Sequence, residues 1–161
     1  MSQYPDYTRE RLRLLVDHLR NRIYSEFRPV DPLLVSERVD RISYAEAQRL
    51  EKWRPAKLGE QFGPLFATYW FRAGFTVPAE WEGRRVDLLW GSHSEATLWV
   101  NGCSIQGLNH EPAAYDGVTR PDAVLTDSAR TGQVIEFQIE MACNKLFGYD
   151  ANHAPHFRSI S

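Results

Sequence analysis

The sequence predicts a mainly β protein, an antiparallel sandwich preceded by two helices. Three observations carry this. Short stretches of alternating apolar and polar residues recur between turn-forming residues from Thr68 onward. The stretch Val86–Gly107, VDLLWGSHSEATLWVNGCSIQG, reads as two strands closed by a turn, then a third. The residues before Thr68 lack that alternation and carry helix signals instead.

Residues 1–7 read as a frayed lead-in. From Thr8, a capping residue, Leu12, Leu15, Val16, Leu19 and Ile23 fall on one apolar stripe of a 3.6-residue period. Arg9, Arg11, Arg13, Arg20 and Arg22 flank it. Such a helix can lie on an acidic membrane. More commonly its stripe packs on its own or a neighbouring domain. Pro29 and Pro32 end the region, and residues 33–42 read as a short strand or an extended link. Ser43-Tyr44-Ala45-Glu46 is a capping box, predicting a helix from Tyr44 to Trp53 that Arg54-Pro55 stops.

Gly59 and Gly63-Pro64 mark a loop. Over Thr68 to Val77, Tyr69, Phe71, Ala73, Phe75 and Val77 alternate with Thr68, Trp70, Arg72, Gly74 and Thr76, the pattern of a strand that Pro78 ends. In the next strands Val86, Leu88 and Trp90 share one face, and Ala96, Leu98 and Val100 share another. Asn101-Gly102 fits a two-residue turn with positive φ at both positions, and Cys103 to Ile105 forms the return strand. Residues 107–123 read as a long polar loop, the kind of segment on which binding residues concentrate. Ala123–Leu125 is a candidate short strand and Asp127 to Gly132 a turn. Ile135, Phe137, Ile139 and Met141 alternate with Glu136, Gln138 and Glu140, so one face meets a core and the other water. After Asn144 the pattern dissolves into a tail or linker.

The bulk properties exclude several classes. The 161 residues suffice for one cored domain, and 43% apolar with 25% charged residues is ordinary for a globular chain. A net charge of −2 without a basic run argues against a nucleic-acid surface. No apolar stretch approaches the roughly 18–20 residues that cross a bilayer, and no secretory leader is visible. Cys103 and Cys143 match no disulfide framework or zinc site and read as free buried thiols in a reducing compartment.

Motifs for catalysis are sparse. There is no nucleophile elbow, P-loop, dinucleotide fingerprint or His-Glu-x-x-His. His153 and His156, with Asp150 near them, make a poor metal site because Pro155 opposes a helix there. Glu80, Glu82, Asp87 and Glu95 are the carboxylates open to acid–base work, but nothing pairs them at a set distance. Aromatics, 12% of the chain, carry more. An exposed indole stacks on the apolar face of a sugar ring. Trp90 shares the face of Val86 and Leu88 and reads as core. Trp70 and Trp99 lie opposite the more apolar faces of their strands and read as rim or interface, unless the sheet is covered on both sides. The residues singled out for carbohydrate or domain contact are therefore Trp70, Glu95, Trp99 and Asn101.

A set of segments has a familiar order and spacing. Phe62-Gly63-Pro64 leads to Tyr69-Trp70-Phe71-Arg72, then Phe75-Thr76-Val77-Pro78, Trp81-Glu82-Gly83, Leu89-Trp90, Ser94-Glu95-Ala96, Gln106-Gly107-Leu108 and Met141-Ala142-Cys143-Asn144-Lys145-Leu146-Phe147-Gly148. The chain resembles the N-terminal domain of family-38 α-mannosidases of the cytosolic and vacuolar type, over about residues 8–148. The less specific Leu98-Trp99-Val100-Asn101-Gly102 resembles a hairpin of jelly-roll domains appended to glycoside hydrolases. The resemblance implies a galactose-binding-like jelly-roll β-sandwich ahead of a catalytic barrel. On that reading residues 1–57 are a helical lead-in, 58–148 the accessory sandwich and 149–161 a tail or linker toward the barrel. The resemblance also implies that zinc, the nucleophile and retaining hydrolysis of terminal α-linked mannose belong to that barrel, with no cofactor in this chain. The expected partners are the barrel, mannose-containing oligosaccharides and further copies of the parent enzyme, with no nucleic acid or membrane. The expected location is cytoplasmic. A stand-alone carbohydrate-binding module and a free interaction domain are the alternatives.

Overall fold

The computed structural model describes residues 4–109 and 119–144. The N-terminal helix α1 spans Tyr4–Arg20. It is followed by strand β1, Leu33–Ser36, the single-turn helix α2, Tyr44–Ala47, and β2, Trp53–Pro55. Strand β3 covers Thr68–Thr76 and β4 covers Val86–Leu89. Then come β5, Glu95–Val100, β6, Cys103–Asn109, β7, Asp122–Thr126, and β8, Val134–Ala142. All strand pairs among the described residues are antiparallel, in a six-stranded sheet of order β2-β1-β3-β8-β5-β6 and a two-stranded sheet β4-β7. The mainly β, antiparallel reading of the sequence holds.

The core lies between the two sheets and follows the predicted alternation. Ile135, Phe137, Ile139 and Met141 of β8 are buried, as are Phe71 of β3 and Leu98 of β5. They meet Leu88, Trp90 and Ala123 from the side of the smaller sheet. Each large side chain so buried contributes about 1.5–3 kcal/mol relative to exposure. Trp90 is 1% exposed, the core residue its face predicted. Its ring meets Phe71 edge-on at 5.1 Å. The Asn101-Gly102 turn has φ of 50° and 80°, as a primed hairpin turn requires.

Five expectations change. The strands at Val86 and Glu95 are not a hairpin pair: β4 pairs with β7, while β5 pairs with β6 and β8. The segment between them crosses from one sheet to the other. Buried Ser92 and Ser94 make the crossing possible by satisfying polar groups that a tight turn would expose. Trp90 Nε1 donates to Ser92 Oγ at 3.0 Å, and Asn144 N donates to Ser94 Oγ at 2.9 Å. The second helix is one turn long, not ten residues. The capping box forms, with Glu46 N donating to Ser43 Oγ and Ser43 N to Glu46 Oε2. Only Ala47 of the helix is buried, so no apolar face holds further turns.

The third change lies in the stretch expected as a helical lead-in, 1–57, which supplies β1 and β2 to the larger sheet. The return strand β6 is also longer than expected. It runs to Asn109 and takes Gly107–Asn109 from the predicted loop. Asp122 and Ala123 of that loop belong to β7, and its residues 110–118, like the tail with Asp150, His153 and His156, lie outside the described residues. Helix α1 begins at Tyr4 rather than Thr8, and its stripe is bare: Leu12, Leu15, Val16, Leu19 and Ile23 are all exposed.

Candidate functional site

Of the residues singled out from the sequence, Trp70, Glu95 and Trp99 lie on the outer face of the larger sheet and Asn101 in the turn after β5. Glu95, Thr97 and Trp99 of β5, Gln138 and Glu140 of β8, and Trp70 and Arg72 of β3 share that face, because alternate residues of registered strands point the same way. Trp70, Glu140 and Thr97 form one cross-strand row; Arg72, Gln138 and Trp99 form the next.

The structure brings Trp70 and Trp99 together, with ring centroids 5.9 Å apart. Tyr44 covers both, stacked on Trp99 at 5.0 Å and 25°, and edge-on to Trp70 at 6.1 Å. Trp70 is therefore fully buried, not at a rim. The physical reason is the segment after β1, whose capped turn lays Tyr44 over the sheet. Trp99 is half-buried. Aromatic pairs in such offset and edge geometries add about 0.5–1.5 kcal/mol each beyond area burial. The indole of Trp70 finds no hydrogen-bond partner for Nε1 among the described residues.

Beside this cluster lies a groove of about 550 Å³. Trp99, Asn101, Tyr44, Gln48, Arg72 and Gln138 contribute to its walls. Gln48 and Gln138 exchange hydrogen bonds of 2.7 and 3.0 Å. Arg72 has its guanidinium 4.0 Å above the Trp53 ring, and Trp53 is itself held by a 2.7 Å bond to Leu50 O. Glu140 is half-buried under the same cover. Burial pushes its carboxyl above the usual range, while the neighbouring Trp99 indole and the charge of Arg41 pull the other way; Trp99 Nε1 makes no hydrogen bond among the described residues.

Glu95 does not join this group. It stands at the opposite end of β5, where its Oε2 accepts from Asn144 Nδ2 at 2.7 Å and its backbone N donates to Asn144 Oδ1 at 3.2 Å. It pins the end of β8 rather than facing the tryptophans. The other carboxylates are likewise engaged locally. Glu80 pairs with Arg28, Glu82 accepts from Thr131 N, and Asp87 lies 2.9 Å from Arg85 Nε. Cys143 is buried as expected, which pushes its thiol up to about 12, but Cys103 is exposed, because it opens the return strand directly after the hairpin turn. Among the described residues no three His, Cys, Asp or Glu side chains converge as a metal site. Sequence reasoning missed Tyr44, Gln48 and Arg72 as neighbours of Trp99. Only the capping box hinted at a fixed turn there, and nothing in it pointed across the sheet.

Known proteins place the chain. Residues 29–159 match the family model described as α-mannosidase, jelly roll domain. α-Mannosidase G of Dictyostelium discoideum is 37% identical over 114 residues, 71% of this chain and 10% of that protein. Human α-mannosidase 2C1 is 35% identical over 133 residues, 81% of this chain and 12% of that protein. The chain thus spans about a tenth of the length of these relatives. Among solved structures, a Ruminococcus gnavus β-glucuronidase aligns with 86% of this chain and 27% of its own, at 17% identity and a TM-score of 0.46. The alternation, the two-sheet core and the family match agree: the chain belongs to the jelly-roll domain family of the α-mannosidases.

Proposed function

We propose that this domain is a non-catalytic part of a longer α-mannosidase that removes terminal α-linked mannose from oligosaccharides in a separate catalytic barrel. The carrying observation is the family match together with its proportion: a jelly-roll domain that covers only 10–12% of mannosidase relatives. In this reading residues 149–161 lead toward the barrel, and zinc and the nucleophile belong there. The domain packs on the barrel, shapes the surroundings of its active site and contributes to contacts between copies, in the cytoplasm. Its surface supports that work. The bare stripe of α1 and the exposed Phe27, Leu58 and Phe66 are apolar areas suited to cover by another domain.

The test is turnover. The purified 161-residue chain leaves a nitrophenyl α-mannoside intact, whereas the longer enzyme cleaves it and loses that activity to a chelator. Chelator-sensitive hydrolysis by the chain alone overturns the reading. The alternative, a stand-alone carbohydrate-binding module built on Trp70 and Trp99, is disfavoured by Tyr44. Its ring occupies the indole surface a sugar needs.

A further inference from the structure

A second cavity lies elsewhere, and no residue singled out for carbohydrate contact lines it. The smaller sheet is two strands wide and the larger six, so one end of the inter-sheet space is left without a strand above it. The segment 23–30 and the 3₁₀ turn Ala79–Trp81 wall this end. They enclose a pocket of about 610 Å³, within the range of small-molecule sites.

Its chemistry is specific. Phe75 and Phe137 from the larger sheet and Leu88 from the smaller supply apolar walls. Trp81 stands against Phe75, ring centroids 6.1 Å apart at 68°, and Tyr24 against Phe27 at 5.7 Å. The charged lining balances, with Arg28, Arg84 and Arg85 against Glu26, Asp87 and Asp122. Each arginine is already near a carboxylate. Arg85 Nε lies 2.9 Å from Asp87, and Arg84 is 3.7 Å from Glu26. Arg28 reaches Glu26 and Glu80, with its guanidinium 5.5 Å from the Trp81 ring centre. Tyr24 Oη donates to Asp122 Oδ2 at 2.9 Å, a bond that with burial raises the tyrosine pKa well above its ordinary value.

We propose that this pocket is a binding site for a neutral saccharide. An anion entering it meets three carboxylates and a cation meets three guanidinium groups, so neither gains from the lining. A sugar hydroxyl both donates and accepts, so it bridges an arginine and a carboxylate without unpairing either. The ring's apolar C–H face then lies on Phe27, whose ring is exposed, whereas Arg28 and Phe75 cover Trp81. Oligosaccharide length is accommodated because Phe27 and the arginines are exposed at the mouth.

The experiment titrates the whole chain with methyl α-mannoside, a mannotriose, glucuronate and glucosamine, following indole fluorescence and heat. The expected result is saturable binding of the neutral sugars, with a dissociation constant of roughly 1 mM, and weaker binding of both charged sugars. Phe27→Ala and Asp122→Asn each weaken it about tenfold or more, the size of a lost stacking or charge-assisted contact, while Trp99→Ala leaves it unchanged. Urea midpoints check that the variants fold. If Asp122→Asn unfolds, Phe27→Ala and Arg85→Met carry the test. Absence of binding at roughly 50 mM neutral sugar, where such a site is saturated, overturns the proposal. So does binding that survives the pocket variants or that Trp99→Ala abolishes. This test reads binding and not turnover, so its failure leaves the α-mannosidase domain reading standing.

Discussion

Two buried serines tie together segments far apart in the chain. Ser36 Oγ accepts from Trp70 N at 3.0 Å and donates to Glu37 O at 2.7 Å. Ser94 Oγ accepts from Asn144 N and donates to Ala142 O. Replacing either by alanine leaves buried backbone groups unpaired, so a loss of about 1–3 kcal/mol is expected from urea unfolding of each variant. Leu98, fully buried, is the packing counterpart: Leu98→Ala costs about 2–5 kcal/mol in the same measurement. Glu140 gives a pH signature. Its pKa is raised in the folded chain, so the fold binds that proton more tightly than the unfolded chain does. Its contribution is fully present below the ordinary glutamate range and is lost as pH rises through the folded value. Glu140→Gln keeps the size and shape of the side chain but removes its charge. The variant is therefore expected to gain stability over wild type from pH 4 to pH 7, about zero at the acid end; a gap that does not widen with pH contradicts this.

At the scale of elements, the hairpin β5–β6 and helix α1 behave in opposite ways. The hairpin turn is locally determined: Asn101 and Gly102 both hold positive φ. A Cβ on Gly102 meets only Tyr44 Cε1, at an ordinary 3.6 Å. Gly102→Ala thus carries a backbone penalty alone, about 1–2 kcal/mol by thermal unfolding. Helix α1 has a good amphipathic pattern, yet every described side chain from Asp6 to Leu19 is exposed. It draws no packing energy from the sandwich. Removal of residues 1–22 is expected to leave the unfolding midpoint of the sandwich within about 2 °C, since about 1 kcal/mol moves it by several degrees. A large fall would show that the stripe packs on the sheet.

At the scale of the molecule, the large sheet joins β1 to β3, β3 to β8 and β8 to β5, pairings between residues distant in sequence. Loop closure precedes any gain from such contacts, so folding in milliseconds to seconds is expected rather than the microseconds of helical bundles. The same topology leaves the smaller sheet two strands wide and opens the pocket beside it.

The sequence alone determined which strand residues face the space between the two sheets. Alternation in β3, β4, β5 and β8 placed Phe71, Leu88, Trp90, Leu98 and Ile139 correctly, because side-chain direction in a strand is set by position modulo two. The hairpin turn and the capping box were legible for the same local reason, since backbone conformation and capping depend on adjacent residues. Strand pairing was not. That β4 leaves β5 for β7, and that β1 and β2 extend the sheet, depends on contacts between segments whose patterns are individually compatible with several partners. Likewise Trp70 and Trp99 looked like a surface pair until the turn at Tyr44 covered them. Glu95 stood out only as a candidate contact residue, and its partner Asn144 lies 49 residues away in the chain. Only the tertiary structure decided these, because burial of a sheet's second face and the meeting of Trp81 with Tyr24, Arg85 and Asp122 around one cavity are properties of packing between distant segments.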